Sequence, residues 1–138
     1  MDRPYLIVLA DDHAMVRRGL KKIIEEDPEL KIIAEVGDGL QLIDYLDKNP
    51  IPDMVIMDIS MPNMGGIEAT RKALEKYPGI KVLILTMHNN TEYMNLALTA
   101  GANGYLLKHE ADKELFSAIA TVRRGDTYIC PLMRLFGS

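Results

Sequence analysis

Five polar residues stand where apolar runs end. Asp11 and Asp12 follow Tyr5–Ala10, Asp58 follows Met54–Met57, Thr86 follows the run 81–85, and Lys108 follows Gly104–Leu107. If the runs are parallel strands of one sheet, all five side chains gather at its carboxyl edge, where open α/β sheets bind ligands. Three carboxylates in one pocket repel one another, and burial penalises their charged forms. A divalent cation relieves that conflict, and Mg²⁺ suits it: it takes oxygen ligands, keeps several waters and needs only one or two carboxylates. Beside such an ion an aspartate is a nucleophile towards phosphorus. Asp58 stands alone on its strand, ahead of a Pro- and Gly-broken loop that gives a phosphoryl group room. The Lys108 ammonium and the Thr86 hydroxyl then supply the charge and the hydrogen bond that phosphoryl transfer needs.

The elements that must position these residues alternate. Five apolar runs of strand length are separated by five stretches of helical period. From His13, the residues Val16, Leu20, Ile23 and Ile24 share a face, with Arg17, Arg18, Lys21 and Lys22 around the other. Asp27-Pro28 ends that helix. The second strand, 31–36, is more polar at its start, as an edge strand can be. Gly37-Asp38-Gly39 turns the chain into a helix marked by Leu42, Ile43 and Leu46. After Gly65-Gly66 the third helix carries Ile67, Thr70 and Leu74. Asn89-Asn90-Thr91 can cap the fourth, which stops at Gly101. The last begins near Ala111, with Asp112 and Glu114 at its positive end and Arg123-Arg124 at its negative end. Strict alternation predicts a doubly wound, flavodoxin-like (βα)5 domain with a five-stranded parallel sheet of order 2-1-3-4-5.

With 138 residues the chain is expected to be one domain, taken as residues 1–126, with a tail at 127–138. No run approaches the roughly 20 apolar residues of a membrane span, and the short apolar start does not read as a signal peptide. The single cysteine, Cys130, excludes an internal disulfide and suits a reducing cytoplasm. A formal charge of −4 argues against this segment itself gripping nucleic acid.

The acidic pair Asp11-Asp12, Asp58 within Met57-Asp58-Ile59-Ser60-Met61-Pro62-Asn63-Met64-Gly65-Gly66, then Thr86, Tyr105 and Lys108 together resemble the receiver domains of two-component response regulators. The resemblance implies that Asp58 accepts a phosphoryl group from a sensor histidine kinase and that the domain is a self-modifying switch, not an enzyme acting on other substrates. It implies Mg²⁺ held by Asp12, Asp58 and the backbone carbonyl of Ser60, with Asp11 nearby through water. It makes Thr86 and Tyr105 a switch pair, and Ser60 and His88 residues that tune hydrolysis of the acyl phosphate. Met87 departs from the small residue common in that position and is expected to cover part of the site. Leu85-Thr86-Met87-His88, Gly104-Tyr105-Leu106-Leu107-Lys108 and Arg123-Arg124-Gly125-Asp126-Thr127-Tyr128-Ile129-Cys130-Pro131 resemble the NarL/FixJ group. In that group a linker leads to a LuxR-type helix-turn-helix domain that controls transcription. Residues 127–138 are accordingly expected to begin such a linker, with Gly137-Ser138 read as a cloning remnant; a stand-alone regulator is the alternative. DNA is expected to be met only through the missing domain. A homodimer through the first and last helices, or through the fourth-helix face, is left open. Lys108-His109 replaces the family's frequent Lys-Pro, so a trans peptide is expected.

Blander roles compete. Asp11 and Asp12 alone would be caps for the first helix, Thr86 a solvated hydroxyl, Lys108 a surface amine and Tyr105 a half-buried strand aromatic. Arg17, Arg18, Lys21 and Lys22 read as a solvated face, and His13, His88 and His109 as surface histidines. Met57, Met61 and Met64 fill the core or line the site mouth. An aspartyl-phosphate phosphatase would place a second acid where Ser60 stands. A flavin-binding protein would want a Ser/Thr/Gly-rich loop where Asp11-Asp12-His13 stands.

Overall fold

A computed structural model describes residues 3–136; Gly137-Ser138, read above as a cloning remnant, lies outside them. The strands are β1 (Tyr5–Ala10), β2 (Leu30–Val36), β3 (Met54–Met57), β4 (Lys81–Thr86), β5 (Gly104–Leu107) and β6 (Tyr128–Ile129). The helices are α1 (Ala14–Ile24), α2 (Gly39–Lys48), α3 (Gly66–Lys76), α4 (Thr91–Thr99), α5 (Ala111–Arg123) and α6 (Pro131–Phe136). All four residues of β3 and of β5 are buried, because a parallel sheet with helices on both faces leaves its central strands no polar side. Right-handed crossovers put α1 on one face and the row α2, α3, α4 on the other. No helix among the described residues is long and apolar enough to cross a membrane.

The expected sheet of five strands is corrected: it has six, all parallel, in the order β2-β1-β3-β4-β5-β6. The stretch read as the start of a linker supplies β6, with Tyr128 opposite Gly104 and Ile129 opposite Tyr105. Two residues are too few to show a period in sequence. Their partner is the outer edge of β5, whose backbone groups need covering. The Tyr128 N–H donates to Asn103 O at 3.0 Å and the Cys130 N–H to Tyr105 O at 3.1 Å. Cys130 and Met133 then bury completely.

Helix ends follow local chemistry. Asp38 caps α2 by accepting from Gln41 N at 2.8 Å, and Asn90 caps α4 by accepting from Tyr93 N at 2.9 Å. Gly101 ends α4 in the left-handed region, φ 111°, where glycine carries no Cβ penalty.

Candidate functional site

Register brings the polar strand ends together. Ala10 pairs with Met57, Met57 with Ile84, and Thr86 with Leu107. Each next residue therefore leaves the sheet at one edge: Asp11 beside Asp58, and Lys108 directly after the partner of Thr86. The Asp58 N–H donates to Ala10 O at 2.9 Å and the Asp11 N–H to Val36 O at 3.0 Å, holding both acids to the strand ends.

The loop after Asp58 is strapped to its neighbours. Asn63 takes a left-handed φ of 67°, and its Nδ2 donates to Asp38 Oδ2 at 2.7 Å. The Gly39 N–H donates to Met64 O at 2.9 Å, and the Gly66 N–H to Ile59 O at 2.8 Å. Gly66 passes so close that an added Cβ would lie 2.0 Å from the carbonyl oxygen of Asp58.

Asp11 and Asp58 are almost fully buried, and one cation lies between them. Lys108 Nζ donates to Asp11 Oδ2 at 2.7 Å and to Asp58 Oδ2 at 3.1 Å. Burial works against the ammonium. The hydrogen bond to Asp11 and the charges of Asp58 and Asp11 outweigh it, so its pKa is raised. Ligand atoms of Asp11, Asp12, His13 and Asp58 all lie within 4.8 Å of one another. Carboxylate oxygens at that spacing, already drawing in a lysine, fit a hard oxygen-seeking ion such as Mg²⁺. His13 Nδ1 lies 3.1 Å from Asp11 Oδ1 and 3.0 Å from Asp12 Oδ1, the place of an outer partner that orients carboxylates. Neither acid is the N-cap of α1, which is His13, but Asp11 Oδ1 accepts the His13 N–H at 2.9 Å just ahead of the helix.

Thr86 and Tyr105 are both fully buried, and both hold the backbone of His88. The His88 N–H donates to Thr86 Oγ1 at 3.3 Å, and the Tyr105 hydroxyl donates to His88 O at 2.8 Å. Burial, then the Cys130 thiol and the Asp58 carboxylate, push the Tyr105 phenol well above its ordinary pKa, so it stays a neutral donor. The His88 ring lies 2.6 Å, through Nε2, from Ser60 Oγ and packs on Tyr93 with centroids 4.6 Å apart. The Ser60 N–H faces Asp58 Oδ1 at 3.4 Å. Met87, expected to cover the site, is 78% exposed. No cis peptide occurs among the described residues, Lys108-His109 included.

Residues 7–120 match the family described as the response regulator receiver domain. The chain belongs to that family. It is 44% identical over 128 residues to the oxygen regulatory protein NreC of Staphylococcus carnosus, covering 92% of this chain and 58% of that one. It is 40% identical over 125 residues to the transcriptional regulatory protein DegU of Brevibacillus brevis, covering 91% and 52%. A LuxR-family two-component response regulator from Aurantimonas sp. SI85-9A1 superposes with a TM-score of 0.92 at 34% identity, covering 97% of this chain and 95% of that one. The chain thus spans about half the length of these curated relatives. A receiver domain is a regulatory switch, and this one is of the kind carried by LuxR-family response regulators.

The reading of His13 as a surface histidine holds, its side chain being 63% exposed, although its ring also stands beside the acidic cluster. One residue near the site escaped the sequence reading. Arg17, assigned to a solvated face, turns inward. Its Nη1 donates to the Asp11 carbonyl, its Nε lies 3.3 Å from Glu35 Oε1, and its side chain is 20% exposed. No sequence signal separates it from Arg18, which shares the same opening turns of α1.

Proposed function

We propose that this receiver accepts a phosphoryl group on Asp58 from a phosphohistidine of a sensor histidine kinase. A carboxylate oxygen of Asp58 attacks phosphorus, the P–N bond breaks, and the imidazole leaves with the electron pair and takes up a proton. Asp12, Asp58 and the Ser60 backbone carbonyl would hold Mg²⁺, with Asp11 acting through water. The bound ion would supply positive charge against the developing phosphoryl charge. Lys108 gives up its contact with Asp58 Oδ2 to bind a phosphoryl oxygen, and the Thr86 hydroxyl donates to another. Thr86 then releases the His88 N–H, so the loop that Tyr105 grips from the other side must resettle. That is a shift between two packings driven by the new contacts. Ser60 and His88, joined across the mouth, and Met87 beside them set the rate at which water reaches the acyl phosphate. The chemistry is self-catalysed in that the nucleophile, the carboxylates that would hold the ion, Lys108 and Thr86 all belong to this domain.

The observation that carries the reading is the buried Asp58 carboxylate held between a lysine and two further acids. The names of DegU and of the LuxR-family structure support an output in transcription. We assign that output to a helix-turn-helix domain beyond residue 138, with residues 127–138 leading towards it and the whole acting in the cytoplasm. The test is incubation with Mg²⁺ and acetyl phosphate followed by intact mass. A base-labile phosphate adduct, lost in Asp58→Asn, is expected. A native chain that binds Mg²⁺ and forms no adduct overturns the proposal.

A further inference from the structure

The Asp11 carbonyl marks the point where β1 leaves the sheet. Its neighbouring backbone groups are spent on other strands: Asp11 N–H on Val36 and Ala10 O on Asp58. Among the described residues the one hydrogen-bond partner of that carbonyl is the Arg17 guanidinium, whose other edge meets Glu35 on β2. Helical side chains lean back towards the helix N-terminus, so the fourth residue of α1 reaches the chain just before the helix. A cation there is opposed by the helix dipole. Its presence calls for a compensating role, and the fork geometry of arginine, which grips two oxygens at once, supplies one.

We propose that Arg17 is a positioning residue of the acidic pair. Braced on Glu35, it pins the Asp11–Asp12 peptide so that these carboxylates face Asp58 at a spacing a small divalent cation can span. Mg²⁺ tolerates little departure from octahedral geometry, so a loosened peptide weakens binding. The inference rests on the reading of the acidic cluster as a Mg²⁺ site.

Two effects of Arg17 on Mg²⁺ have opposite signs, and this makes the proposal testable. As a bare charge, Arg17 repels the ion, so Arg17→Ala would tighten binding. As a pin, its loss loosens binding. The measurement is Mg²⁺ affinity by calorimetry on the chain without phosphodonor, for the wild type, Arg17→Ala, Arg17→Lys, Glu35→Gln and Arg18→Ala. Arg17→Ala is expected to weaken Mg²⁺ about tenfold, the low end for groups that orient metal ligands. Arg17→Lys, which keeps the charge but loses the fork, should recover only part of that, and Glu35→Gln should lose less than Arg17→Ala. Arg18→Ala removes the same charge from an exposed neighbour and should leave affinity unchanged or slightly tighter. Saturating Mg²⁺ should restore the rate of adduct formation in Arg17→Ala. Affinity in Arg17→Ala equal to or tighter than wild type overturns the proposal; should that variant not fold, wild-type affinity in both Arg17→Lys and Glu35→Gln does so. No Mg²⁺ binding by the wild type overturns the metal-site reading instead.

Discussion

Gly66→Ala is a one-methyl perturbation aimed at the phosphoacceptor's backbone. In an ordinary helix Ala is favoured over Gly by about 1 kcal/mol, and Gly66 opens α3. Here the new Cβ would stand 2.0 Å from Asp58 O, 2.8 Å from Asp58 C and 3.0 Å from Ile59 Cα. Real contacts need roughly 1 Å more, and backbone at the end of a buried strand cannot swing aside as a side-chain tip can. Overpacking of this kind costs about 1–3 kcal/mol. Set against the helical gain, the net loss is up to about 2 kcal/mol, or up to about 8 °C in Tm. The same displacement moves the Asp58 carboxylate relative to Lys108 and Asp11. A misplacement of about 1 Å at a reacting group can cost on the order of 10²-fold in rate. Urea unfolding gives the first quantity, and adduct formation from acetyl phosphate by intact mass gives the second. Gly19→Ala is the control. Gly19 lies in α1 with nothing within 4 Å of its added Cβ, so stabilisation of about 0.5–1 kcal/mol with an unchanged adduct rate is expected. Wild-type stability and adduct rate in Gly66→Ala would refute the reasoning.

Two further outcomes are expected. Lys108→Met leaves Asp11 and Asp58 facing each other without a cation. Without Mg²⁺ it should lose about 2–3 kcal/mol, short of the full range for a buried pair because the Lys108 side chain keeps 15% exposure. Saturating Mg²⁺ should return most of that loss, and equal losses with and without the ion in urea unfolding would count against the shared-charge account. Asp38 is held below the ordinary carboxylate range, first by the Gln41 N–H and then by the Asn63 amide. A depressed carboxyl adds stability that is present above its unfolded pKa and lost as pH falls through its folded one. Asp38→Asn keeps a good cap, so it should cost only about 0.5–1 kcal/mol near neutrality. That gap should shrink as pH drops below the carboxylate range; a gap of the same size at pH 3 and pH 7 would show that the charge is not involved.

The sequence by itself determined the alternation of strand and helix, the parallel sheet and the edge at which Asp11, Asp12, Asp58, Thr86 and Lys108 emerge. Each of those signals is local: an apolar run ending on a polar residue, a change of period, a glycine or proline that stops an element. The order of the first five strands also followed, because parallel strands joined by helices leave few topologies open. Tertiary structure decided what depends on partners distant in the chain. The two residues of β6 become a strand only because the edge of β5 is there to pair with them. Arg17 and Arg18 are adjacent and alike in sequence; only the position of the Asp11 carbonyl and Glu35 distinguishes the one that turns inward. The sequence places Lys108 at the site as its cation, but its position bridging two buried carboxylates comes from the register of β1, β3, β4 and β5. Local pattern specifies which elements form and where each ends. How side chains share a pocket is settled by packing between elements, at distances that one stretch of sequence does not encode.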